Sequence, residues 1–135
     1  MSDDDAYRST TLGITVAVRP RYLAARSTPA EGQWVWGYAI DIENGSDGAV
    51  QLLKRAWRIV DGNGKVEHVA GAGVVGEQPI LNPGDTFRYS SGCPLPTPSG
   101  FMEGHYTFVD EDGDSFEVAI PAFSLDVPNA PRALN

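Results

Sequence analysis

The chain has 135 residues, a formal net charge of −8, 41% hydrophobic and 21% charged residues, 15 glycines and 10 prolines. That size and mix fit one globular domain, which buries roughly two-thirds of its unfolded surface without metals, and the single cysteine, Cys93, excludes an internal disulfide. The acidic balance argues against nucleic acid as a partner, because a polyanion needs a basic surface.

Met1-Ser2-Asp3-Asp4-Asp5 is acidic and lacks the basic region and apolar run of a secretory signal. No apolar stretch approaches a membrane span, and the lone cysteine suits a reducing compartment, so a cytoplasmic protein with no membrane partner is expected. Residues 1–10 are expected to form a flexible segment. The dominant pattern that follows is alternation. Leu12, Ile14, Val16 and Val18 make one set, and Trp34, Trp36, Tyr38, Ile40 and Ile42 a stronger one. A third strand is expected over Val50 to Asp61, with Leu53, Trp57 and Ile59 on one parity and Lys54 and Arg58 on the other. Asp61-Gly62-Asn63-Gly64 reads as a hairpin turn, returning through Lys65 to Ala70. Asn82-Pro83-Gly84-Asp85 is a further turn, leading into a strand over Thr86 to Ser91.

Pro94, Pro96 and Pro98 predict an extended loop, and Phe101 to Val109 and Phe116 to Ile120 two more strands joined by an acidic turn. Phe123, Leu125 and Val127 extend or follow the last strand, and residues 128–135 are expected to be a C-terminal tail. No helix of normal length is expected, because Gly, Pro, β-branched and aromatic residues interrupt every window. Seven to eight short strands with turns between them predict an all-β sandwich of two antiparallel sheets over residues 11–127. Leu81-Asn82-Pro83-Gly84-Asp85-Thr86-Phe87 resembles the corner of fibronectin type III domains, with Phe87 where that family carries a tyrosine and Tyr89 two residues on.

Gly71-Ala72-Gly73-Val74-Val75-Gly76 matches G-x-G-x-x-G. A dinucleotide site needs a helix to open directly after this motif. Glu77-Gln78-Pro79-Ile80 follows instead, so the Rossmann reading fails. Successive glycine amides can still form a concave nest for an anion, and the alternative is a tight loop shaped by backbone geometry. Asp110, Glu111, Asp112 and Asp114 lack EF-hand spacing and read as an exposed acidic hairpin. A cation site through Asp110, Asp112 and Asp114 ranks last. His68, His105 and Cys93 lack metal-ligand spacing, and Ser90, Ser91 and Cys93 carry no nucleophile signature. No catalytic residue, metal site or cofactor is therefore expected. Arg19 and Arg21 share a parity, as do Lys54 and Arg58. If their strands lie together they form a local basic face, otherwise ordinary solvated faces. Trp34, Trp36 and Tyr38 read as core or, if exposed, as an interface.

Several segments together resemble the bacterial ApaG family. They are Trp36-Gly37-Tyr38 with Ile42-Glu43-Asn44, Val50 to Arg55 with Trp57, Gly71 to Pro79, Pro83-Gly84, Tyr89-Ser90-Ser91-Gly92, Thr97-Pro98, Met102-Glu103-Gly104-His105-Tyr106 and Ile120-Pro121 with Phe123. The resemblance implies a fibronectin-type-III-like (immunoglobulin-like) fold. It also implies genetic links to cobalt resistance and magnesium efflux, and a role in protein contacts shared with related domains of larger eukaryotic proteins. For the glycine motif it implies a proposed pyrophosphate site. The expected function is a non-enzymatic binding module with an unidentified protein partner, a homodimer included, and an indirect effect on divalent-cation handling. The alternative is a small phosphate-bearing ligand. In either case Gly71, Gly73, Gly76, Glu77 and Gln78 form the candidate loop.

Overall fold

A computed structural model describes residues 6–128. Nine strands are present among them: β1 (Tyr7–Thr11), β2 (Ile14–Tyr22), β3 (Trp34–Asn44), β4 (Val50–Asp61), β5 (Val66–Ala72), β6 (Ile80–Leu81), β7 (Thr86–Leu95), β8 (Ser99–Asp110) and β9 (Ser115–Asp126). They form two antiparallel sheets, β1-β2-β3-β7 and β5-β4-β8-β9, with β6 paired to β4 beyond the end of β5. The expected sandwich is thus present, with β1 and β6 added to the strands read from sequence. Part of the segment expected to be flexible is strand β1, whereas residues 1–5 and 129–135 lie outside the described residues. No helix among the described residues is long and apolar enough to cross a membrane.

Alternation builds the core. Ile14, Val16 and Val18 of β2 and Trp36, Tyr38, Ile40 and Ile42 of β3 face Leu52, Trp57, Tyr106, Phe108, Val118, Ile120 and Phe123 of the other sheet. Trp34 is only half-buried, and Leu12, expected on the inward set, is 71% exposed in the turn between β1 and β2. Trp36 Nε1 donates to Asp126 O at 2.9 Å, tying the sheets together. Leu53, read as inward, is the extra residue of a bulge: Leu52 pairs with Phe108 and Lys54 with Thr107. A bulge reverses the inward parity beyond it, so β4 buries Val50 and Leu52 before it and Trp57 after it.

The two sides of the sandwich differ. On one side β1 lies against β9, where Ser9 Oγ donates to Ala119 O at 3.0 Å and Thr11 Oγ1 accepts from Ala119 N at 3.2 Å. On the other, β5 and β7 are the sheet edges. Strand β7 runs on through Pro94, where a loop was expected. Pro is tolerated there because an edge strand leaves one side of its ladder unused.

Candidate functional site

The glycine loop leaves β5 on the open side. Val74 and Glu77 exchange two backbone hydrogen bonds of 2.8 Å, so Val75 and Gly76 form a two-residue hairpin tip. Their φ angles are +41° and +82°, the double left-handed form that such turns need. Gly76 adopts this freely, whereas Val75 is β-branched and strained there. Gly73 sits at φ +64°, and a Cβ on it would lie 2.4 Å from Glu77 O.

Side chains fasten the loop to the β4 bulge. Gly73 N donates to Leu53 O at 2.8 Å, and Gln78 Nε2 donates to the same oxygen at 3.0 Å. Gln51 Nε2 returns a bond to Gln78 O, and Leu52 N donates to Pro79 O, both at 3.0 Å. Arg55 Nη1 donates to Ala72 O at 3.0 Å and Gly73 O at 2.9 Å. Gly71 pairs with Arg55 across the ladder, and a Cβ there would meet the guanidinium at 3.0 Å. The glycines thus admit Arg55 and the tight turn. The amides of Gly73, Val74 and Glu77 are spent on the protein itself, whereas those of Val75 and Gly76, at the tip, meet no acceptor among the described residues. Arg55 was not singled out in the sequence. Its signal was a charge on the parity of Trp57, inside a strand otherwise reading as core.

Behind the loop, Tyr89 and Tyr106 join hydroxyls at 2.5 Å between the sheets. Burial pushes both phenols well above their ordinary range, with the Arg55 charge opposing the shift at Tyr89. Tyr38 is raised by burial as well, and packs on Trp57 and Phe123 at 5.5 and 5.7 Å between ring centroids. Tyr89 therefore uses its hydroxyl across the sandwich, while Phe87 occupies the corner position. Burial pushes the Cys93 thiol up to about 11, with Glu67 adding to the shift, so it stays a neutral thiol near neutral pH. His68 and His105 lie on the outer face of the other sheet, where His105 Nε2 is 3.4 Å from Glu117. The structure does not bring Ser90, Ser91 or Cys93 to either histidine.

Asp110, Asp112 and Asp114 do come together, with one carboxylate oxygen of each within 4.8 Å of the others. Asp110 Oδ1 already accepts from the amides of Asp112 and Asp114, at 2.9 and 3.0 Å. Asp61 makes the same pair of bonds to Asn63 and Lys65, at 2.8 and 3.0 Å. Gly64 and Gly113 share φ +84° at the equivalent place. The acidic hairpin thus repeats a turn that forms without the extra acids.

The four cations read as a potential basic face are divided between the two outer faces of the sandwich. Lys54 and Arg58 belong to the β4 sheet, where Arg58 bonds Glu103 at 2.7 Å. Arg19 and Arg21 belong to β2, where Arg19 and Arg88 share Asp41 at 3.3 and 3.4 Å.

A family model described as the ApaG domain matches residues 24–110. The chain belongs to the ApaG family. It is 59% identical over 129 residues to the protein ApaG of Mesorhizobium japonicum, spanning 96% of this chain and 99% of that one. Against the ApaG of Sinorhizobium fredii the identity is 58% over the same shares. The fold is similar to a crystal structure of the ApaA protein from Bordetella pertussis, with a TM-score of 0.85, 45% identity, and 92% and 99% of the two chains covered. A second X-ray structure gives 0.82 at 37% identity, covering 91% and 93%. The C-terminal domain of Wzt, at 13% identity and a TM-score of 0.52, shares the fold alone. The glycine motif of this ApaG-family chain is therefore a clamped hairpin at a sandwich edge.

Proposed function

We propose that this ApaG-family chain is a non-enzymatic protein-interaction module and that the tip of the glycine loop is a contact point. One observation carries the reading: Val75, an apolar β-branched residue, is held in a strained conformation with 57% of its surface exposed. A strained residue persists only where its surroundings impose it, and here Arg55, Gln78 and the Val74–Glu77 hydrogen-bond pair do so. A rigid apolar tip loses little entropy on docking. Ile80, 63% exposed at the end of the loop, adds apolar surface, while Glu77 and Gln78 supply polar character. On this reading any effect on cobalt or magnesium handling is indirect and passes through the partner. The test is affinity capture under native conditions with the wild type and Val75→Asp. A protein enriched reproducibly by the first and lost with the second is expected, and no reproducible partner would contradict the proposal.

A second reading, a small phosphate-bearing anion at the loop, has in its favour the two tip amides of Val75 and Gly76, which meet no acceptor among the described residues. It expects pyrophosphate to shift amide resonances of Gly71 to Gln78 alone. Absence of any shift at millimolar concentration would remove it.

A further inference from the structure

We propose that the outer face of the β2-β3-β7 sheet docks a short acidic peptide segment of a partner protein, in a trough lined by Arg19, Arg21 and Arg26. The site lies on the opposite sheet from the glycine loop and goes beyond the role given to Val75.

The register builds the trough. Arg21, Gly37 and Gly92 form one outward row across three strands, and Arg19, Ala39 and Ser90 the next. Successive outward residues of one strand stand about 7 Å apart, so the two arginines flank a floor with no large side chain. The chain after β2 then turns back over β3 through a short 3-10 turn, Ala24–Arg26. Leu23 N donates to Val35 O at 2.8 Å, and Leu23 Cδ1 lies over Gly37, 3.4 Å from where a Cβ would be. This fold-back raises a wall carrying Leu23 and Arg26. The open trough has a volume of about 650 Å³ and reaches Ser90 and Ser91.

Charge selects the occupant. Arg19, Arg21 and Arg26 line the trough, and no aspartate or glutamate is among its lining residues. A chain of net charge −8 thus concentrates positive charge on one surface. Asp41 is shared by Arg19 and Arg88, whereas Arg21 and Arg26 have no acidic partner among the described residues. Guanidinium groups pair with carboxylates through two parallel bonds. The surrounding negative charge repels a long polyanion such as nucleic acid, which leaves a short run of carboxylates. The small floor lets an extended backbone lie close to the sheet, with Ser90 on the outward row beside it.

The test is fluorescence anisotropy of a fluorescein-labelled oligo-glutamate peptide, with oligo-glutamine as the uncharged control. The wild type should bind oligo-glutamate alone, more weakly as salt rises. The double change Arg21→Glu and Arg26→Glu should weaken binding by about tenfold or more. Both side chains are exposed, so the fold should be kept. Ser90→Asp, which places a carboxylate on the floor beside the arginines, should weaken binding with all three arginines in place. Val75→Asp should leave it unchanged, so loss of the loop reading and loss of this one are separable. No binding by the wild type, or equal binding by the double variant, would overturn the proposal.

Discussion

The glycine loop and the arginine trough stand in contrast. The loop carries the conspicuous sequence motif, yet three of its backbone donors, on Gly73, Val74 and Glu77, are consumed within the protein. The trough has no motif, because its cations come from positions 19, 21 and 26, yet Arg21 and Arg26 meet no acid among the described residues. The contrast teaches that a recognition element is defined by donors left over after folding. Between the two regions lie Tyr38, Tyr89 and Tyr106, with Arg55 close enough to Tyr38 and Tyr89 to oppose the burial shifts of both.

Breaking the loop should give the largest effect. Gly73→Ala places a Cβ 2.4 Å from Glu77 O at φ +64° and should cost about 2–4 kcal/mol, read by chemical denaturation. Arg55→Met removes the guanidinium from Ala72 O and Gly73 O. It should cost about 1–2 kcal/mol and raise proteolytic cleavage at the loop, with oligo-glutamate binding at the trough unchanged.

The region between them should show in alkaline solution. Cys93 is raised from 9.0 to about 11, and the buried tyrosines lie above their ordinary 10.0. A raised folded-state pKa gives stability that is complete below the unfolded value and is lost as pH rises through the folded one. Denaturation midpoints should thus be insensitive to these groups up to about pH 9 and fall steadily above it. Cys93→Ala should remove the earliest part of that fall. The smallest effect is expected from Val75→Gly, which relieves the strain at the tip and should stabilise the fold by about 0.5–1 kcal/mol. It should also weaken capture of any partner of the loop, separating stability from recognition.

The sandwich was legible because Trp36, Tyr38, Ile40 and Ile42 keep strict alternation, and the Asp61 hairpin because Asn and Gly mark it. The inward side of β4 was not, because one bulged residue, Leu53, reverses the parity and no local signal announces a bulge. Strand β1 was missed because Tyr7–Thr11 is polar and largely exposed, its pairing set by β2 and β9. Continuation of β7 through Pro94 was hidden because proline breaks inner strands but not edges. In the candidate loop the glycines were located, and their use was not. Whether an amide faces a ligand or Leu53 O depends on a bulge some twenty residues earlier in the chain. The trough was half-read, since Arg19 and Arg21 were paired by parity, but Arg26 and Ser90 join them only through the register of β3 and β7.

Amide hydrogen exchange measured by NMR on the free protein tests the central claim most directly. The clamped hairpin predicts slow exchange at Gly73, Val74 and Glu77, and fast exchange at Val75 and Gly76. Uniformly fast exchange from Gly73 to Glu77 would contradict it, because the glycine amides would then be free to cradle an anion.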